Sequence, residues 1–170
     1  MTRARPIAEA DASASFQCQR DPEMSRFLAE SALIYERAGY ARTFVLPGEA
    51  GPIGFYTFSM YAVRSENLPQ DMRAGLPEHS LPLALVGQLA RDDRAKGIGQ
   101  SLLVDAIKRA RRVAEKIGCL GVALHAKNEQ LEKYYAQAGF RPLPKKGYPR
   151  LMFLALRRVP ARQTNPVASS

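Results

Sequence analysis

The sequence contains no tryptophan, and among its 170 residues only two are cysteine and only two are histidine. Cys18 and Cys119 lie far apart and fit neither a zinc motif nor a disulfide framework, which favours two reduced thiols. His79 and His125 are too few for a metal site without carboxylate ligands, and no spacing indicates one. The sequence therefore predicts a protein without a metal centre.

Long apolar runs are missing as well. No segment approaches the roughly 20 consecutive apolar residues of a membrane-spanning helix, and residues 1–6 lack the apolar core of a secretory signal. We therefore expect a cytoplasmic protein without a membrane span. The length suits one domain, placed at residues 15–158, between a flexible polar segment over 1–14 and a flexible Pro/Ser/Asn-rich tail over 159–170.

Acidic residues are scarce relative to basic ones: 16 Asp and Glu stand against 25 Lys and Arg, which gives a net charge of +9. Such a chain favours a polyanionic partner, whether nucleic acid, a phosphorylated cofactor or an acidic protein. The alternative is that the charge serves solubility alone. Composition does not distinguish these partners.

The hydropathy pattern predicts helices and strands that follow one another along the chain. The predicted helices cover 16–39, 100–117 and 129–138, and the predicted strands cover 43–46, 53–62, 83–90, 120–125 and 151–157. Turn residues over 47–52 join the first two strands into a hairpin, and 64–80 has the composition of a loop. This order predicts an α/β or α+β fold, in which a mixed sheet carries helices on both faces.

The segment from Arg94 to Gly99 reads R-x-x-G-x-G and lies between a predicted strand and a predicted helix. This layout directs several backbone N–H groups and the positive end of the helix dipole to one point, which suits a pyrophosphate. Gly97 and Gly99 have no Cβ to hold a ligand away. An ordinary strand–helix turn is the alternative. A third glycine and a Lys–hydroxyl pair are absent, which excludes the dinucleotide-binding and Walker motifs.

Downstream of this loop come a strand, Asn128, Tyr135 and the pair Gly139-Phe140. In this order and spacing, the stretch resembles the GCN5-related N-acetyltransferases (GNAT), which bind acetyl-CoA. Residues 16–18, 27–32, 39–45, 53–59 and 86–90 resemble one subfamily, the toxins of type II toxin–antitoxin systems. That subfamily usually has Arg where this chain has Gln88.

The resemblance implies a mostly antiparallel sheet whose strands splay apart at the acetyl-CoA site, with a bulge near Leu89-Ala90. It also implies acetylation of the α-amine of aminoacyl-tRNA, a block of translation, a ribbon-helix-helix antitoxin encoded nearby and a possible homodimer. The implied acetyl-CoA contacts are Leu89, Ala90, Arg91, Arg94, Ala95, Lys96, Gly97, Ile98, Gly99, Gln100, Ser101, Asn128 and Tyr135.

Tyr135 is the candidate general acid for the departing thiolate. A phenol has a pKa of about 10 and keeps its proton at neutral pH. Its spacing to Gly139-Phe140 favours Tyr135 over Tyr134, because adjacent helical residues point about 100° apart. The alternatives are a packing tyrosine and, for Asn128, a helix N-cap.

The predicted strand over 83–91 has no carboxylate that could act as a base, and Asp92 and Asp93 follow it, where loop roles are expected. An α-amine, with a pKa of about 7.7–8.0, needs a base less than a lysine does, so this absence favours an α-amine acceptor. Other functions stay open: acetylation of a protein N-terminus or of a small amine, or nucleic-acid binding without catalysis.

Several basic residues on the predicted helices and near the expected cleft are candidate tRNA contacts. They are Lys108, Arg109, Arg111, Arg112, Lys133, Lys145, Lys146 and Arg150. The alternative is an ordinary solvated surface.

Overall fold

The computed structural model describes residues 3–156, so the predicted tail over 159–170 lies outside the described residues. The strands are β1 (Arg5–Pro6), β2 (Arg42–Gly48), β3 (Gly51–Arg64), β4 (Ser80–Arg91), β5 (Gly121–Ala126), β6 (Arg141–Pro142) and β7 (Arg150–Ala155). The helices are α1 (Glu9–Ser13), α2 (Pro22–Arg26), α3 (Ala32–Arg37), α4 (Gly99–Ala114) and α5 (Glu129–Gln137). A π-helical turn, Phe27–Ser31, joins α2 to α3, and two short 3₁₀ turns lie in the loop before β4.

One seven-stranded sheet, in the order β1-β2-β3-β4-β5-β7-β6, forms the centre of the fold. Every neighbouring pair of strands is antiparallel except β4 and β5, which are parallel. Parallel neighbours need a crossover connection, and α4 provides it. The sheet is therefore mixed and mostly antiparallel, as predicted.

Both faces of the sheet are covered. α4 and α5 lie on one face, where Leu102 and Tyr135 belong to the largest buried cluster. On the opposite face, the helical segment over 22–37 buries Leu28, and the loop over 65–79 closes a third cluster. These two layers confirm the prediction of helices on both sides of a sheet, and we call them the α4/α5 face and the opposite face.

The first long helix begins later than predicted, at Pro22 rather than at residue 16. Proline suits the first turn of a helix, because backbone N–H groups there have no hydrogen-bond partner within the helix and proline has no N–H. Residues 16–19 are instead held by the loop that follows β4, since the N–H of Gln17 donates to Asp92 Oδ2 at 2.9 Å. Sequence periodicity cannot show a contact made 75 residues away.

The N-terminal segment, expected to be flexible over 1–14, carries β1 and α1 within its described part. Arg5 forms an ion pair with Asp11 at 2.7 Å, and Ala4 is buried. α4 ends at Ala114, three residues before the predicted end at 117. Across residues 3–156, no helix combines the length and apolar character that crossing a membrane would require.

Candidate active site

Strands β4 and β5 separate after a short parallel contact. They pair only from Ala84 opposite Val122 to Val86 opposite Leu124, although β4 continues to Arg91. We call the gap beyond this last pair the fork. On this side β4 has no described strand partner beyond Val86, so the edge of its backbone is open to a ligand.

A bulge in β4 lies at the start of the fork. Tyr56 pairs with Leu89 and Phe58 pairs with Val86, so Gly87 and Gln88 together face the single residue Thr57. The N–H of Gln88 donates to Thr57 Oγ1 at 2.8 Å. The bulge therefore lies two residues before the position near Leu89-Ala90 that the resemblance implied.

The glycine loop leads into α4 at the same end of β4. Gly97 has φ = 78°, a conformation that residues with a side chain rarely adopt. The first backbone bond of the helix runs from the N–H of Leu102 to the carbonyl of Ile98 at 3.0 Å. The N–H groups of Gly99, Gln100 and Ser101 precede this bond, so the helix start offers unpaired donors to an anion.

Asp92 holds the glycine loop in place through its carboxylate. Its side chain is fully buried and forms an ion pair with Arg94, with 2.7 Å between Nε and Oδ1. The carboxylate also accepts the N–H groups of Gln17 and Arg94, both at 2.9 Å. These bonds, with the guanidinium of Arg94 as the largest cause, hold the pKa of Asp92 well below its ordinary value.

Arg94 was expected to add its charge to a pyrophosphate, and the structure gives this guanidinium another role. It is bonded to both carboxylate oxygens of Asp92 and donates to the carbonyl of Ser15 at 2.6 Å. Arg91 likewise donates to the carbonyl of Ala95, at 3.3 Å. Both arginines therefore stabilise the loop, and Lys96 is an exposed cation beside its glycines that has no ion pair within residues 3–156.

Tyr135 lies on α5, on the α4/α5 face, with only 5% of its surface exposed. Burial, and to a smaller degree the neighbouring Tyr134, raises its pKa to about 12. Among the described residues its hydroxyl has no hydrogen-bond partner, while its ring contacts Tyr134 and Phe140. The group is thus a protonated phenol whose proton is not already engaged.

Tyr134 is half-buried and reaches the start of α4. A Cβ placed on Gly99 would come within 3.2 Å of the Tyr134 hydroxyl oxygen. Asn128 is the N-cap of α5, because its Oδ1 accepts the N–H of Leu131 at 2.9 Å. The predicted cap is therefore confirmed, and the amide nitrogen of the exposed Asn128 side chain is left for a ligand.

Among the candidate tRNA contacts, Arg109 is a correction. Its Nε donates to the Tyr56 hydroxyl at 2.8 Å, and its guanidinium carbon lies 3.6 Å from the centre of the Phe44 ring. Tyr56 in turn donates to Asp105 at 2.5 Å. Only 19% of the Arg109 side chain is exposed, so this charge stabilises the core and is not displayed to a phosphate.

The other basic candidates divide into two sets. Lys108, Arg111, Arg112, Lys145 and Lys146 are exposed, and no carboxylate pairs with them within residues 3–156. Lys133 pairs with Glu129 at 2.8 Å, and Arg150 pairs with Glu132 at 3.0 Å. These two pairs line a cleft of about 420 Å³ on the outer face of α5.

From the sequence, His125 is weighed only as a metal ligand. Its position in the structure relates it to the candidate active site instead. It is the first residue of β5 beyond the last pair with β4, so it lies at the fork. Alternation along β5 places it on the face opposite α4 and α5. The strand pattern could have predicted this face, but not where the two strands separate.

No family model matches the chain. A relative named tRNA-acetylating toxin, from Mycobacterium tuberculosis, is 30% identical over 142 residues, which cover 82% of this chain and 84% of the relative. The structure of AtaT complexed with acetyl-methionyl-tRNAfMet superposes with a TM-score of 0.78 at 21% identity, covering 91% of this chain and 95% of that one.

A second AtaT structure is a Tyr-to-Phe variant bound to the C-terminus of the antitoxin AtaR and to acetyl-CoA. It superposes with a TM-score of 0.73 at 20% identity and covers 91% of this chain and 93% of that one. At these identities, the two solved structures establish a shared fold.

Proposed function

Because this chain belongs to the family of tRNA-acetylating toxins with the GNAT fold, we propose that it moves the acetyl group of acetyl-CoA onto the α-amine of an aminoacyl-tRNA. The observation that carries the proposal is the fork, where the open edge of β4 meets the uncovered start of α4. Acetylated aminoacyl ends cannot serve normally in elongation, so the activity stops translation. Its site of action is then the cytoplasm, where translation takes place.

The residues at the fork fit acetyl-CoA. We assign the pyrophosphate to the N–H groups from Lys96 to Ser101 and the pantetheine arm to the open edge of β4, with Asn128 nearby. Acetyl-CoA supplies an activated thioester when bound. A backbone N–H near Leu89 or Ala90 polarises its carbonyl, and Tyr135 donates a proton to the leaving sulfur.

We also propose an antitoxin partner and a tRNA surface. AtaT is bound by the C-terminus of AtaR, and we expect this chain to be neutralised by an antitoxin whose tail covers the fork. Two of the exposed cations of α4, Lys108 and Arg112, lie four residues apart and share one side of the helix. We assign them to tRNA phosphates.

The proposed function is tested by incubating the protein with acetyl-CoA labelled in the acetyl group and charged total tRNA. We expect label on aminoacyl ends, where mild alkali releases it as the N-acetylated amino acid. Uncharged tRNA is the matched control and should take up none. Label that appears only on protein or on small amines would contradict the tRNA substrate while leaving acetyl transfer intact.

The phosphate contacts predict a change in salt dependence. Replacing Lys108 and Arg112 by alanine should reduce the slope of log affinity for tRNA against log salt by about 0.9 for each lost contact. Arg64 is an exposed basic residue at the end of β3, so Arg64→Ala is the control. Binding measured over a salt series decides: a double variant with the wild-type slope would make this side of α4 ordinary solvated surface.

A further inference from the structure

His125 occupies a defined place at the fork. The parallel register runs Leu85 opposite Ala123 and Val86 opposite Leu124, and it stops there. If it continued, the next pair would be Gly87 and His125. Gly87 has no side chain, and β4 bulges at this residue. The imidazole therefore lies at the point where the strands part, next in register to an exposed glycine of β4.

The face on which His125 lies follows from its neighbours. Leu124 and Ala126 belong to the cluster beneath α4 and α5, whereas Ala123 belongs to the cluster on the opposite face. His125 alternates with the first two and so shares the face of Ala123. Its ring meets the Tyr61 ring edge-on, with 6.4 Å between the centroids.

Tyr135 lies on the other face of the sheet, in the buried cluster that contains Val86 and Leu124, the last β4–β5 pair. It lies on α5 and is buried in the cluster of the α4/α5 face. His125 and Tyr135, two groups that can exchange protons, thus lie on opposite faces of the sheet. Transfer of an acyl group to an amine needs two such groups, since the attacking nitrogen loses a proton and the leaving sulfur gains one.

His125 is an exposed residue of β5, and its surroundings favour the neutral form of the imidazole. Leu151 on β7 pairs with His125, and Leu85 and Gly87 are the neighbouring β4 residues on this face. Tyr61 on β3 is the one titratable side chain that contacts His125 within the described residues. Lys127, two residues on, is paired with Asp21. Burial, with no charged neighbour as a cause, lowers the pKa of His125 below its ordinary value.

We propose that His125 is the catalytic base of this site and that the acceptor amine binds on the face opposite α4 and α5. The inference rests on the proposed function and deepens it. The amine nitrogen bonds to the acetyl carbon as the carbon–sulfur bond breaks. The nitrogen's proton passes to the His125 imidazole, and Tyr135 gives its proton to the sulfur. Proton transfer through solvent from the imidazolium to the tyrosinate then restores both groups.

This assignment narrows the substrate class. An imidazole with a lowered pKa is a weak base, matched to an amine that is already substantially neutral near pH 7. The α-amine of an aminoacyl ester is such an amine, and a lysine side chain, with a pKa of about 10.4, is not. The site therefore favours α-amines over ε-amines.

The test compares His125→Gln with the wild type in single-turnover acetylation of aminoacyl-tRNA between about pH 5 and 8. Glutamine keeps a polar group of similar reach but cannot take up the proton. We expect a rate about 10²-fold lower near pH 8. The deficit should shrink as the pH falls, because the wild-type imidazole then becomes protonated too. The control is His79→Gln, the same change at the other histidine, and it should match the wild type.

The outcomes separate this inference from the proposed function. A wild type that acetylates no aminoacyl-tRNA contradicts the proposed function itself. An active wild type contradicts only the role of His125 if His125→Gln keeps its rate, or if it loses the same factor at every pH, as a structural role would require.

A second readout needs no acetyl-CoA. In the His79→Gln chain, His125 is the one remaining imidazole, because the sequence has two histidines. Its titration by NMR should give a pKa below about 6.5. A value above about 8 would leave the imidazole largely protonated near pH 7, and the assignment as base would be lost.

Discussion

Replacing Tyr135 by phenylalanine should lower the rate of acetyl transfer about 10²–10⁴-fold, the usual contribution of a positioned general acid. The change removes only the hydroxyl. Because that hydroxyl has no hydrogen-bond partner in the described structure, no bond is lost and the ring still fills its place in the core. Thermal unfolding should therefore give a midpoint equal to that of the wild type or slightly above it.

The matched control for this experiment is Tyr134→Phe. Tyr134 is adjacent on α5 and also has a phenol with a raised pKa, but it is only half-buried and its hydroxyl lies near Gly99. We expect that variant to retain most of its turnover and to show its effect in the KM for acetyl-CoA. If Tyr134→Phe lost the turnover and Tyr135→Phe kept it, the two roles would have to be exchanged.

Replacing Asp92 by asparagine should destabilise the protein by about 3 kcal/mol, because it weakens several charge-assisted bonds of a buried carboxylate. The new amide nitrogen would also confront N–H donors such as that of Gln17. The expected fall in melting temperature is about 6–12 °C. Affinity for acetyl-CoA should fall too, since the glycine loop is fixed through Arg94.

Asp93→Asn is the control, because the Asp93 carboxylate accepts a single N–H, from Gln19 at 2.8 Å, at a more exposed position. Its cost should stay below about 1 kcal/mol. The pH dependence adds a check with a definite sign. The folded-state pKa of Asp92 is lowered, so its contribution is present above about pH 4 and is lost as the pH falls. Denaturation curves should therefore lose more stability with acid in the wild type than in Asp92→Asn.

The sequence predicted the features that depend on local spacing. Asn128 caps α5 as predicted, because the cap depends on positions along a single helix. The glycine loop likewise starts α4 near the predicted residue. These features depend on residues that are close together in the sequence, so the spacing of those residues predicts them.

The errors arose where a partner lies far away in the sequence. Arg109 looks like part of a charged helix face, but Tyr56 and Phe44, supplied by β3 and β2, turn it into a core residue. The partners of Asp92 are contributed by residues 15–17 in the same way. Where β4 and β5 part is set by their pairing, so the significance of His125 could not be predicted from the β5 sequence alone.

The tie between Asp92, Arg94 and residues 15–17 has a consequence for protein engineering. The stretch 85–140 carries every motif by which a bioinformatic search would find an acetyltransferase, yet its cofactor loop is built on a peptide from the other end of the chain. A minimal fragment limited to those motifs would lack the backbone groups of residues 15–17 that hold its cofactor loop in place. Because residues 15–17 supply backbone groups, we expect gene shuffling to tolerate other side chains there, provided that this peptide is retained.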